Sequence, residues 1–113
     1  MEKRTPQPGL PVRGSKSGKP IMALFDLLGR SWAMGIIWQL ADRTLTFRQV
    51  QDKCEIVSPT VLNKRLKELR ECGLVQHGKG GYQLTKFGKT LLELLQPLGK
   101  WSELWADKLS EDK

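Results

Sequence analysis

SPTVLNKRLKELRECG, residues 58–73, is the stretch on which the reading of the chain turns. Ser58 suits a helix N-cap, because its hydroxyl can accept a hydrogen bond from a first-turn amide that has no partner inside the helix. Pro59 follows at the first helical position, where the missing N–H costs nothing and the fixed φ suits the helix. Leu62, Leu66 and Leu69 recur at helical spacing with Val61 beside them, giving one apolar stripe. Thr60, Asn63, Lys64 and Lys67 fall on the other side, and Gly73 supplies a left-handed stop. Amide, hydroxyl and ammonium groups near a helix N-terminus are what base edges and phosphates require of a recognition helix. The competing reading is an ordinary solvated face laced by Lys64–Glu68 and Lys67–Glu71 pairs at i,i+4.

The flanking segments decide between them. Upstream, Thr46 and Gln49 have capping-box spacing and open a helix whose Phe47, Val50 and Cys54 face inward. A short turn, Glu55-Ile56-Val57, then joins that helix to the opening stretch. Two helices so joined, the second exposing polar groups at its start, form a helix-turn-helix. Downstream, residues 74–77 and 82–85 flank Gly78-Lys79-Gly80-Gly81 and read as a β-hairpin with Lys79 at its tip. A hairpin directly after a helix-turn-helix is a wing, suited to lie along the sugar-phosphate backbone. His77 either bonds a phosphate or caps the hairpin. The glycine-rich loop is no nucleotide-binding fingerprint, since it lies within a hairpin and not between strand and helix.

Pro20 can open a first helix with Ile21, Leu24, Phe25 and Leu28 as its stripe, ended by Gly29. Ser31 is placed to cap a second, in which Trp32, Ile36, Ile37 and Leu40 face inward. Residues 43–46 lean towards β structure. Residues 86–109 read as helical, kinked or broken at Pro97, with more apolar surface than one small core needs. Surplus of this kind suits burial against a second copy, through Leu24, Leu91, Leu94, Leu98, Trp101, Leu104 and Trp105. The alternative is that these residues complete the monomer core.

The length of 113 residues is that of one domain. The net charge of +7 is unevenly spread. Residues 43–89 carry ten bases against four acids, and residues 1–19 five against one, whereas residues 90–113 are net acidic. Localised positive charge suits a polyanion partner. Residues 1–19, rich in Pro, Gly and bases, read as a flexible basic arm, residues 20–109 as the folded domain, and 110–113 as a disordered tail. No apolar run has the length of a membrane helix, and the polar start is not a signal peptide. Cys54 and Cys72 do not make a disulfide framework, so a cytoplasmic setting, at the nucleoid, is expected. With His77 they lack metal-ligand spacing, and no nucleophile–base pair or phosphate loop points to an enzyme. No cofactor is expected.

These runs together resemble the HxlR-type winged-helix transcriptional regulators. The likeness is carried by Leu28-Gly29-Arg30-Ser31-Trp32, Ile36-Ile37-Trp38-Gln39-Leu40 and Thr46-Phe47-Arg48-Gln49-Val50. It continues through Ile56-Val57-Ser58, Val61 to Leu66, Leu69 to Val75, Tyr82-Gln83-Leu84-Thr85 with Gly88, and Leu91 to Trp101, covering about residues 19–105. The resemblance implies a mainly α fold with a hairpin wing, a homodimer formed through N- and C-terminal helices, and a roughly palindromic operator. The sequence departs from the family where a Cys often precedes the Pro that aligns with Pro20, since Lys19 stands there and cannot sense oxidants. Thr46 replaces a usual Arg, and the wing is short and lacks its usual prolines.

The expectation is a sequence-specific DNA-binding transcriptional regulator, acting as a repressor. Ser58 caps the recognition helix, while Pro59, Thr60, Asn63 and Lys64 approach base edges. Arg48, Arg65, Lys67 and Lys79 meet phosphates, with His77 at the wing; Arg65 flanks the apolar stripe and could instead pair internally. The expected partners are an operator duplex, a second copy and an unknown small-molecule effector. The alternative is a winged-helix module for protein contacts or nonspecific nucleic-acid binding.

Overall fold

The computed structural model describes residues 5–112. Six helices and one hairpin follow in order: α1 Pro20–Leu28, α2 Ala33–Gln39, α3 Phe47–Cys54, α4 Pro59–Glu71, β1 Val75–Gly78, β2 Gly81–Leu84, α5 Lys86–Leu95 and α6 Pro97–Glu111. Local chemistry sets most of these boundaries. The Thr46 hydroxyl accepts from Gln49 N–H at 3.1 Å and the Gln49 side chain accepts from Thr46 N–H at 2.9 Å, completing the capping box of α3. Ser58 Oγ accepts from Val61 N–H at 3.2 Å at the start of α4. Gly73, at φ 78°, ends α4. Its amide bonds to Arg70 O at 3.0 Å and that of Leu74 to Leu69 O at 2.9 Å, the two bonds of a Schellman motif.

The core lies where α2, α3, α4 and the hairpin meet. Ile36, Ile37, Leu40, Val50, Leu62, Leu66 and Leu69 are its most completely buried large side chains. The apolar stripe of α4 therefore faces inward, and its N-terminal polar residues face out. The hairpin is tighter than its sequence suggested. Gly78 pairs with Gly81 across a two-residue turn, Lys79-Gly80. Leu45 adds a single bridge to Tyr82, with N–O distances of 2.7 and 2.9 Å, in place of a further strand. A Cβ on Gly81 would stand 2.2 Å from Leu45 O, so only glycine permits this approach. Thr85 ties the wing to both neighbouring helices, donating to Gly73 O at 2.6 Å and accepting from Gly88 N–H at 2.9 Å.

Ser31 does not cap α2. Trp32 holds that position in a left-handed conformation, and Ser31 is engaged elsewhere, by Arg65. The stripe expected on α1 faces largely outward: Ile21 and Phe25 are exposed, while Ala23, Asp26 and Leu27 are buried. Asp26 accounts for that rotation, because it lies against Arg30 at 3.6 Å and accepts from Arg13 N–H at 3.1 Å. The C-terminal helix breaks at Gln96, with Pro97 opening α6, which then runs past residue 109 to Glu111.

Residues 5–19, expected as a flexible arm, lie against the domain in a small loop of their own. Val12 and Ser15 bridge each other, and Gly9 N–H bonds to Gly18 O at 2.8 Å. Thr5 and Pro6 are buried, with Thr5 donating to Glu71 and the Cys72 thiol donating to Pro6 O at 3.4 Å. Paired backbone and long-range side-chain bonds hold this segment in place of an apolar core. Residues 1–4 of the expected arm and Lys113 of the expected tail lie outside the described residues. Among the described residues no single helix is long and apolar enough to cross a membrane.

Four charged side chains lock α1 to α4. Glu68, 3% exposed, takes Arg30 at 2.6 Å on one oxygen and Arg65 at 3.2 Å on the other. Arg30 in turn faces Asp26. Removing one partner from such a buried set leaves an uncompensated charge, at a cost of about 3–5 kcal/mol. Arg30→Ala, which among the described residues leaves Glu68 with Arg65 alone and Asp26 with Arg13 alone, is therefore expected to lower unfolding free energy by the lower end of that range, about 3 kcal/mol, in urea titration. A loss below about 1 kcal/mol, the range of an exposed pair, would remove the network from its structural role.

Candidate nucleic-acid interface

The outward face of α4 begins at Ser58 and Pro59 and continues through Thr60, Asn63, Lys64 and Lys67, all exposed. The helix displays these groups because Leu62, Leu66 and Leu69 claim the core side. The i,i+4 pairs that would make this an ordinary solvated face are not formed. Glu68 points inward to Arg30 and Arg65, and Glu71 accepts from Thr5. Among the described residues neither Lys64 nor Lys67 has a carboxylate within ion-pair distance. Both ammonium groups thus remain directed to solvent.

Arg48 on α3, Lys79 at the wing turn and His77 on β1 are likewise exposed. His77 stacks on its cross-strand partner Tyr82, with centroids 4.0 Å apart and planes 5° from parallel. This contact stiffens the wing, a part that sequence reading had not given the histidine. Between α4 and β1 opens a polar recess of about 620 Å³, lined by Asn63, Lys67, Arg70, Glu71, Gln76 and His77 among others. Arg70 and Gln76 are the members of this face that the sequence reading missed. Arg70 lay in the last turn of α4, where a base reads as a helix-dipole partner.

Arg65 is placed otherwise than a phosphate contact needs. Its Nε donates to Ser31 O at 2.8 Å, Nη2 to Ser31 Oγ at 3.3 Å and Nη1 to Glu68 at 3.2 Å, with 14% of the side chain exposed. Its guanidinium fastens α4 to the α1–α2 connection, the internal pairing that its place beside the apolar stripe allowed.

The apolar surface expected at an interface divides in two. Leu91 is half-buried against the monomer core and Leu24 is half-buried on α1. Leu94, Leu98, Trp101, Leu104 and Trp105 are each more than half exposed, and α6 has no buried residue. Trp101 and Trp105 stack at 5.9 Å on this open face. Phe25, Met34 and Trp38 add exposed apolar surface from α1 and α2. Gly99 lets α6 lie close to α2, since a Cβ there would meet the Trp38 ring at 3.2 Å.

Neither cysteine has the surroundings of a reactive thiol. Burial pushes the Cys54 thiol up from its ordinary value. Burial also raises Cys72, helped by the carboxylates of Glu71 and Glu68 and opposed by Arg30. Among the described residues no three His, Cys, Asp or Glu side chains gather to hold a metal ion.

Residues 27–110 match the HxlR-like helix-turn-helix family. The HTH-type transcriptional regulator YvaP of Bacillus subtilis is 32% identical over 89 residues, covering 73% of this chain and 82% of its own. MJ0925 of Methanocaldococcus jannaschii, also named an HTH-type transcriptional regulator, is 28% identical over 90 residues, 76% of this chain and 85% of its own. The crystal structure of quinone-bound YodB from B. subtilis superposes with a TM-score of 0.68 at 30% identity, covering 74% of this chain and 96% of that one. Reduced HypR, at 24% identity, shares the fold with a TM-score of 0.72 over 82% of this chain and 99% of its own. An α4 face with Lys64 and Lys67 open to solvent, a hairpin beside it and a family match across both lead to one assignment: the chain belongs to the HxlR-like helix-turn-helix family of transcriptional regulators, which are DNA-binding proteins and not enzymes.

Proposed function

We propose that the protein is a repressor that binds a palindromic operator as a homodimer in the cytoplasm. The observation that carries the reading is the N-terminal face of α4, where Thr60, Asn63 and Lys64 are exposed while every glutamate of that helix is engaged elsewhere. In this reading Ser58 caps the helix, Pro59 packs at the groove, and Thr60, Asn63 and Lys64 meet base edges. Arg48, Lys67 and Lys79 meet phosphates, and His77 holds the wing near the backbone. The open face of α6, with Trp101, Leu104 and Trp105 joined by Leu94 and Leu98, is covered by the second copy, with Leu24 and Leu91 at its margin. An apolar face of this kind on a small domain is otherwise costly in water.

Relief of repression by a small molecule is part of this reading, supported by the structure of the related YodB with a bound quinone. Covalent sensing through a thiol is not, since both thiols are raised and Lys19 stands before Pro20. Cys54 and Cys72 are accordingly expected to react with a disulfide reagent at neutral pH about tenfold or more slowly in the folded protein than in urea. Equal rates in the two states would return thiol sensing to the account.

Selection of duplexes from a random pool at about 150 mM salt tests the central assignment, because nonspecific binding weakens steeply by that point. The expected winner is palindromic and preferred over scrambled DNA by about a thousandfold or more. Asn63→Ala should blunt discrimination at one base step by about 1–3 kcal/mol, and Lys79→Ala should weaken all duplexes alike while lowering the salt slope by about one. Absence of a preferred sequence would favour the nonspecific or protein-contact module instead.

A further inference from the structure

The recess between α4 and β1 starts at Asn63, the margin of the base-reading face, and runs away from it along the helix, and its chemistry is that of an anion seat with a built-in opponent. Lys67 and Arg70 line it from α4, Gln76 and His77 from β1, and Glu71 stands among them. An acid at this point is adverse to a polyanion, and its closest helical neighbour at i−4 is Lys67, one of the cations that a phosphate would use. Glu71 is nevertheless not paired with Lys67 among the described ion pairs. Its Oε1 accepts instead from the hydroxyl of Thr5, a side chain 8% exposed. Thr5 is itself anchored, because Pro6 is buried and its carbonyl receives the Cys72 thiol at 3.4 Å. Further along, Arg13 holds the same segment to Asp26 at 3.3 Å. The N-terminal segment thus reaches across the domain to engage one carboxylate on the rim of this recess.

We propose that the recess seats a phosphodiester of a DNA strand passing from recognition helix to wing, held by Lys67 and Arg70, and that Thr5 is the positioning residue that keeps Glu71 from neutralising them. Gln76 offers an uncharged amide donor from the opposite wall. The inference rests on the reading of α4 as the DNA-contacting helix. Without the Thr5 hydroxyl, the Glu71 carboxylate is free to turn to Lys67 and Arg70. Each cation so paired has fewer counterions to release when DNA binds, and both affinity and salt slope fall.

The test measures affinity against salt concentration for the full chain on its selected operator and on scrambled duplex. Arg70→Gln should weaken both duplexes and lower the slope by about one. Thr5→Val, which keeps the shape and removes the donor, should weaken both by about twofold to tenfold with an unchanged melting temperature. Glu71→Gln should strengthen binding, and in that background Thr5→Val should no longer alter affinity or slope. An unchanged slope for Arg70→Gln would overturn the phosphate seat. An equal Thr5→Val loss in both backgrounds would make Thr5 merely structural and overturn its positioning role. If the wild-type chain binds neither duplex, it is the DNA-binding reading itself that fails.

Discussion

The buried carboxylate of Glu68 is the constraint from which the rest of the molecule follows. A charge with 3% exposure must be met by other charges, and here Arg30 and Arg65 approach its two oxygens from different parts of the chain. Arg30 brings the end of α1, and Arg65, through Ser31, brings the connection to α2. The roll of α4 about its own axis is thereby fixed twice, by three leucines in the core and by two guanidinium groups at its flank. With the roll fixed, Thr60, Asn63, Lys64 and Lys67 have no choice but the solvent side. Turning Glu68 inward also removes the acid that would otherwise have quenched Lys64. One residue therefore shapes both packing and surface charge.

The wing is built by a different kind of constraint. Backbone comes so close to backbone at Gly81 and Gly88 that an added Cβ would fall 2.2 Å from Leu45 O and 2.1 Å from Leu74 O. These two contacts, with the Thr85 bridge, press the hairpin against the domain and fix where its turn emerges relative to α4. His77 stacked on Tyr82 stiffens the strands beyond that point. The result is a short wing whose tip, Lys79, is carried by a well-supported base. The helix lines one recess with the cations Lys67 and Arg70 and the wing lines it with the polar Gln76 and His77, an arrangement that suits a polyanion running between them.

Local chemistry explains what could be read from sequence. Ser58-Pro59, Thr46 with Gln49, Gly73 and the glycines of the hairpin act within a few residues of themselves, so these helix starts and stops and the place of the hairpin follow from composition and spacing, while the pairing of Gly78 with Gly81 that shortens its turn does not. The helical faces of α2 and α4 follow from their periodicity. The face of α1 does not, because the pattern Ile21, Leu24, Phe25, Leu28 carries no sign that Asp26 will be buried by a pair with Arg30. Arg30 and Glu68 are 38 residues apart, and nothing local distinguishes Glu68 from a solvated partner of Lys64. Residues 5–19 misled for the same reason. Their few apolar side chains suggest nothing to bury, while the bonds that hold them reach Asp26, Glu71 and Cys72 far along the chain. The apolar face of α6 was legible as surplus, whereas Leu91, on α5, is half-buried against the core, since α5 docks before α6 departs.

The central claim is that two copies of α4, held at a fixed roll, enter successive major grooves on one face of a duplex. Hydroxyl-radical footprinting of the selected operator tests it most directly. The account predicts protected backbone in two symmetric patches whose centres lie one helical turn, about 10 bp, or a whole multiple of it apart. A single patch, or uniform protection along the duplex, would contradict it.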